Sequence, residues 1–264
     1  MKITKLAGKG DELILELQGA TPAQANTFRR LMLNEVPVMA IEQVEFKQNS
    51  GILYDEMLAL RLGLVALATD LKSYSLPTEE EIAKNEYSAK SSVKLTLHAK
   101  GPCVVYAKDL KSKDPKVKPI HPETPLVKLL EGQEIELIAT AVLGLGKNHA
   151  KWSPGLIWYR QKPRLKLAKD VDVKAVLKAA KETKLDAFSE KAGKLVVDEK
   201  KLALSDAPSA YEDLSDSITV EFSDDTFIFI IESWGQLSPK DIISAAMDRM
   251  QGYLGEFEKL VKAL

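Results

Sequence analysis

Cysteine is almost absent from this 264-residue chain, which has only Cys103. One thiol closes no disulfide within the chain, and that fits a reducing cytoplasm. It also cannot build a four-thiolate zinc or iron–sulfur site. Histidine is scarce too. His98, His121 and His149 stand far apart without metal-ligand spacing, so no metal site is expected. No run of about 20 apolar residues is present to cross a membrane. The opening MKITKLAGKGDELILEL lacks the apolar stretch of a signal peptide, so a cytoplasmic location is expected. Excess charge of either sign is missing as well: Lys+Arg is 37, Asp+Glu is 38, and the net charge is -1. Proteins that grip nucleic acid draw much of their affinity from phosphate contacts and carry a basic excess. A stand-alone nucleic-acid-binding protein is therefore the weaker alternative, and a shallow salt dependence of DNA binding would dispose of it.

Catalytic motifs are missing as well. There is no complete phosphate-binding loop; Gly144-Leu145-Gly146-Lys147 lacks the required spacing. No G-x-S-x-G elbow or H-E-x-x-H helix occurs. The carboxylates, Glu42 and Glu45 among them, are scattered among lysines and suggest no acid–base pair. These absences point away from an enzyme acting alone and towards an interaction protein.

What is present reads as mixed helix and strand. Leu13, Leu15 and Leu17 alternate behind the turn Gly8-Lys9-Gly10-Asp11, which predicts a hairpin over 2–18. Thr21, Pro22 and Gln24 then form a capping box that opens a helix with Ala25, Phe28, Leu31 and Met32 on one face. Pro37 bounds that helix, and 38–47 reads as a strand with Val44 and Phe46 on one side. Asp55 is expected to cap a largely buried Leu-rich helix over 56–68. Residues 69–92 read as a loop with at most a short helix, 93–99 as a strand, 111–125 as an exposed proline-rich connection, and 135–139 as a strand. Residues 163–216 turn rich in Lys, Asp, Glu and Ala and predict a small insert. Its helix would carry Val171, Ala175, Leu177 and Ala180, with a short strand at 195–197. Near the end, Ile218, Val220 and Phe222, then Phe227, Phe229 and Ile231, flank Ser223-Asp224-Asp225 and predict a second hairpin.

The last helix opens on Ser238 and Pro239. Ile243, Ala246, Met250, Tyr253, Phe257, Leu260 and Leu264 follow spacings of three and four in alternation, the pattern that faces a single partner helix continuously. Two glycines, Gly252 and Gly255, each cost about 1 kcal/mol against alanine in a helix. Close approach of another backbone would explain them. Ile242, Leu254 and Val261 lie off the seam and suggest a second apolar stripe, so that one surface meets this chain's own sheet and one meets a partner. An ordinary terminal helix packed on its own domain is the other reading.

The segment Asn26-Thr27-Phe28-Arg29-Arg30-Leu31-Met32-Leu33-Asn34-Glu35-Val36-Pro37, continuing into Ala40-Ile41-Glu42-Gln43-Val44-Glu45, resembles the signature of the alpha-like subunits of multisubunit RNA polymerases. Leu53-Tyr54-Asp55-Glu56 and Leu60-Arg61-Leu62-Gly63-Leu64-Val65 resemble the next block. His149-Ala150-Lys151-Trp152-Ser153-Pro154 resembles the archaeal and eukaryotic branch, closest to the archaeal D-type subunits. The resemblance implies an α+β fold: a discontinuous alpha-like dimerisation domain from both chain ends (1–47 and 217–264), an inserted mainly β domain (48–162), and a small ferredoxin-like subdomain (163–216). It implies a platform that pairs with a small L-type subunit through Asn26, Phe28, Arg29, Arg30, Met32 and the seam residues. That heterodimer would then carry the large catalytic subunits and other small subunits, and DNA would be met only through the complex. No catalytic residue is expected here. Some members of the D family hold an iron–sulfur cluster on cysteines of the subdomain. Residues 163–216 have no cysteine, so no cluster and no other cofactor is expected. The separate DNA-binding domain of bacterial alpha subunits is not expected either.

Overall fold

The computed structural model describes residues 1–168, 171–191 and 193–264. Lys169, Asp170 and Ala192, all within the expected subdomain, lie outside the described residues. The chain mixes helices with antiparallel sheets and groups into two compact units, residues 1–29 with 157–231 and residues 30–156 with 232–264.

The first unit is built on a four-stranded sheet ordered β1-β2-β12-β9, from β1 (Lys2–Ala7), β2 (Glu12–Gln18), β9 (Gly155–Leu167) and β12 (Ile218–Ser233). The β1–β2 hairpin forms as expected. Gly10 takes φ 61 in its turn, a conformation that side chains with a Cβ avoid. The expected second hairpin does not form: β12 is one continuous strand of 16 residues. Ser223-Asp224-Asp225 stays extended because its polar groups are satisfied in place. The Asp225 carbonyl accepts from the amides of Gly19 and Ala20 at 2.9 and 3.0 Å, and its carboxylate accepts from the Ser223 and Thr226 hydroxyls at 2.8 Å each. A turn triplet whose carbonyl is taken by two amides from a distant part of the chain loses its reason to turn.

The insert adds α4 (Val173–Glu182), the hairpin β10 (Phe188–Lys191) with β11 (Lys194–Val197), and α5 (Glu199–Leu204). Asp172 and Asp198 cap the two helices. The buried positions of α4 are Val176 and Ala180, with Ala175 exposed, so its apolar face is turned by one residue from the stripe the spacing suggested. The small core of Ala187, Leu202 and Tyr211 is completed by Leu165 of β9 and Val220 of β12 and therefore is not the insert's own.

The second unit centres on a sheet ordered β3-β8-β4-β6, from β3 (Pro37–Asn49), β4 (Ser92–Lys100), β6 (Lys111–Ser112) and β8 (Glu134–Leu145). A smaller sheet pairs β5 (Cys103–Tyr106) with β7 (Pro125–Leu129). Met39, Ile41, Leu58, Leu62, Leu95, Leu97, Ile135 and Leu137 form the core, with Val44 and Phe46 packed against it. The 111–125 connection is not simply exposed. It contributes β6 and the fully buried Val117. A short α3 (Glu79–Lys84) interrupts the 69–92 loop behind a Thr78–Glu81 capping box.

Two expectations fail at α2 (Asp55–Gly63). The cap position is Tyr54, while Asp55 sits in the first turn and accepts from Asn49 Nδ2 at 2.8 Å. The helix also stops at Gly63 and buries only Leu58 and Leu62. Met57 and Leu60 are exposed on it, and Ile52, Tyr54 and Leu64 beside it. Leucine content overstated its burial because the helix packs by one narrow face. Arg61 ties α2 to β7 through the Leu126 and Pro125 carbonyls at 2.8 and 2.6 Å.

Candidate functional site

The helix α1 (Pro22–Asn34) starts as its sequence requires. The Thr21 hydroxyl accepts from the Gln24 amide at 3.2 Å, and Gln24 Oε1 accepts from the Thr21 amide at 2.9 Å. Arg29 is half-buried and donates from Nε and Nη2 to Asn26 Oδ1 at 3.3 and 2.9 Å, while Arg30 is exposed. The two adjacent arginines thus have different surroundings, as their spacing on a helix demands. Phe28 is half-buried. Met32 is only 4% exposed and belongs to this chain's own packing, not to a free surface.

The terminal helix α6 (Pro239–Lys262) begins on Ser238, whose hydroxyl accepts from the Asp241 amide at 3.2 Å. Its apolar residues do not form two stripes. At about 100° per residue, Ile242, Ile243, Ala246, Met250, Tyr253, Leu254, Phe257, Leu260 and Val261 share one sector about 120° wide. The division runs along the helix instead of round it. Ile242 and Ala246 are fully buried and Ile243 is half-buried; Ala246 is the last buried residue of the helix. Beyond it the same face comes out of the protein. Leu254 is 58% exposed, Phe257 66% and Leu260 69%; Tyr253 and Val261 are exposed with them, and Leu264 follows the end of the helix fully in solvent. Ala246 therefore packs at home, and the bare part of the seam is Tyr253 to Leu264. Among the described residues a Cβ added at Gly252 or Gly255 would meet nothing within 4 Å, so none of them requires either glycine.

A polar cluster sits where the covered part of α6 gives way to the bare part. Glu35, just past α1, accepts from Lys147 Nζ with both carboxylate oxygens at 3.0 and 3.1 Å and from the Tyr253 hydroxyl. Arg249 Nη2 stands 3.6 Å from the same carboxylate and donates to Tyr253 Oη at 2.9 Å. Burial raises the Glu35 carboxyl, but the hydrogen bonds from Tyr253 and Lys147 and the charges of Lys147 and Arg249 outweigh it and hold the group below its ordinary value. The sequence reading missed Glu35, Lys147 and Arg249. The Arg249–Tyr253 spacing of four on one helix was the legible signal.

The His149–Pro154 block has a structural task. Trp152 is buried, donates to the Val142 carbonyl at 3.3 Å, and lies where a Cβ on Gly144 would fall, 2.3 Å from its ring atoms. Lys151 donates to the Ile41 carbonyl at 3.0 Å and to Glu42, with its Nζ 4.5 Å from the Trp152 ring centroid. A Cβ on Gly146 would meet the Leu33 carbonyl oxygen at 2.1 Å. The Gly-Leu-Gly-Lys stretch thus has packing glycines and an ion-paired lysine, not a phosphate cradle. Among the described residues no three His, Cys, Asp or Glu side chains are grouped to hold a metal, and no helix is long and apolar enough to cross a membrane. The thiolate donors that an iron–sulfur cluster needs are missing from 163–216, so the residues there do not fit one.

Residues 44–157 match the model of the RNA polymerase Rpb3/RpoA insert domain. Along nearly its whole length the chain is similar to proteins named DNA-directed RNA polymerase subunit Rpo3. It is 40% identical to that of Methanothermobacter thermautotrophicus over 239 residues, 90% of either chain. With the Pyrococcus furiosus protein it shares 35% identity over 265 residues, 98% of either chain. The Methanosarcina acetivorans protein is 35% identical, covering 94% of this chain and 93% of its own. Similarity of this extent, from one end of the chain to the other, includes all three motif blocks, and the chain belongs to the Rpo3 family of alpha-like RNA polymerase subunits.

Proposed function

We propose that this chain is the non-catalytic assembly platform of a DNA-directed RNA polymerase, pairing with a small L-type subunit and then carrying the large catalytic subunits for transcription. The observation that carries the reading is the bare apolar half of α6. Tyr253, Leu254, Phe257, Leu260 and Val261 are exposed on one face. They are already part-covered, with 38% to 69% of each still exposed, so at roughly 1.5–3 kcal/mol for a whole side chain covering the face supplies about 4–8 kcal/mol before the costs of association. A soluble chain seldom leaves such a face open without a partner for it.

In this reading residues 1–47 and 217–264 form the dimerisation domain, 48–162 the insert domain, and 163–216 a ferredoxin-like subdomain that holds no cluster. Asn26, Phe28, Arg29 and Arg30 of α1 take part in the pairing. Ile243, Met250, Tyr253, Phe257, Leu260 and Leu264 contribute from the seam, while Met32 and Ala246 are buried and act only through packing. The exposed side of α2 is left for other subunits. The platform works in the cytoplasm and meets DNA only through the complex.

Co-expression with an L-type subunit from the same genome, followed by light scattering, tests this. A one-to-one heterodimer is expected from the wild-type chain, and its loss from the Phe257→Glu, Leu260→Glu double variant. A wild-type chain that stays monomeric beside the L-type subunit refutes the reading.

A further inference from the structure

Past Ala246, α6 has no buried residue, and the polar cluster at Glu35 stands at the start of this unsupported stretch. Three separate segments meet there. Glu35 comes from just past α1, Lys147 from just past β8, and Arg249 and Tyr253 from α6. The Glu35 side chain is only 16% exposed, so its interactions are screened less than those of a surface pair. A second bond holds the same corner: the Lys147 amide donates to the Asn34 carbonyl at 3.2 Å. The Arg249 guanidinium carbon lies 5.0 Å from the Tyr253 ring centroid, so the two α6 residues also hold each other where they meet Glu35.

We infer that Glu35 is a positioning residue for partner pairing: with Lys147, Arg249 and Tyr253 it sets the direction in which the bare half of α6 projects. The inference rests on the platform reading above. Its physical basis is leverage. From Tyr253 to Lys262 the helix runs about 14 Å at 1.5 Å per residue, so a tilt of about 20° at the anchor moves the tip by about 5 Å. That is the width of a side chain, enough to put Phe257 and Leu260 out of register with the grooves of a partner helix. Holding the direction in the free chain removes an ordering cost from association. Tyr253 therefore has two roles: its hydroxyl is committed inside the chain while its ring remains partly open to a partner.

The test uses the full chain with the same L-type subunit and measures association and dissociation rates. Wild type is compared with Glu35→Ala, Tyr253→Phe and the double variant. If only a fraction of free molecules holds the right direction, apparent affinity falls by that fraction and the loss is in the association rate. The expected result is an affinity about tenfold weaker for Glu35→Ala, mostly from slower association, with the double variant hardly worse than the worse single. Hydrogen exchange in the isolated chain should rise over Gly252–Lys262 and stay unchanged over Leu58–Leu62. If Glu35→Ala does not fold, Tyr253→Phe decides, since it removes one hydroxyl from a partly exposed ring. Wild-type pairing with unaltered rates and exchange in the variants overturns the positioning role and leaves the platform reading standing. A wild-type chain that does not pair overturns both.

Discussion

One face of α6 should respond oppositely to truncation at its two ends. Ile242 has no solvent exposure and Phe257 is 66% exposed on the same face. Ile242→Ala removes a buried side chain and leaves a cavity, which costs about 2–5 kcal/mol of folding stability. Phe257→Ala removes a side chain mostly in water, and the isolated chain should keep its stability within about 0.5 kcal/mol. With the L-type subunit the order reverses. About two-thirds of the Phe257 side chain remains to be buried, which at roughly 1.5–3 kcal/mol for the whole is about 1–2 kcal/mol, or a five- to thirtyfold loss of affinity. Urea unfolding of the isolated chain and titration calorimetry of the pair read the two effects separately. The reasoning is refuted if Phe257→Ala destabilises the isolated chain as much as Ile242→Ala does, since the distal face would then be packed at home.

The glycines of α6 give a sharper probe of the partner. Gly252→Ala and Gly255→Ala should each stabilise the isolated chain by about 0.5–1 kcal/mol, because an added Cβ meets nothing; thermal unfolding checks this. If a partner backbone comes close there, the same variants should weaken pairing, and if pairing is unchanged the glycines have no part in it. Stability should also depend on Asp70, which accepts from Lys116 Nζ at 2.7 Å and from the Ser73 hydroxyl at 2.7 Å. Those bonds, the Lys116 one foremost, hold its carboxyl well below the ordinary 3.8. Its contribution is fully present above that value and is lost as pH falls through the lower folded value. Lys116 is exposed, so Asp70→Asn should cost under about 1 kcal/mol at pH 7. In urea titrations the gap between variant and wild type should narrow as the pH is lowered below about 4.

The sequence by itself determined the helix starts at Thr21 and Ser238, the β1–β2 hairpin and the strands on either side of the second core, because each depends on neighbours within a few residues: a hydroxyl three positions from an amide, or alternation with a period of two. It determined the family through three motif blocks, and it shows that 163–216 has no cysteine to offer a cluster. Tertiary structure alone decided the rest. Ser223-Asp224-Asp225 has turn chemistry, yet Gly19 and Ala20, some 200 residues away in the chain, hold it extended. The α2 leucines are exposed because the helix meets its sheet along one narrow face. Met32 and Ala246 were indistinguishable in pattern from their neighbours, and only packing put them inside. The same holds for α6: periodicity gave its face, but where that face leaves the protein depends on how far the rest of the fold reaches along it. Glu35 and Lys147 are 112 residues apart, and their meeting with Arg249 and Tyr253 follows from strand pairing and helix docking that no local spacing encodes.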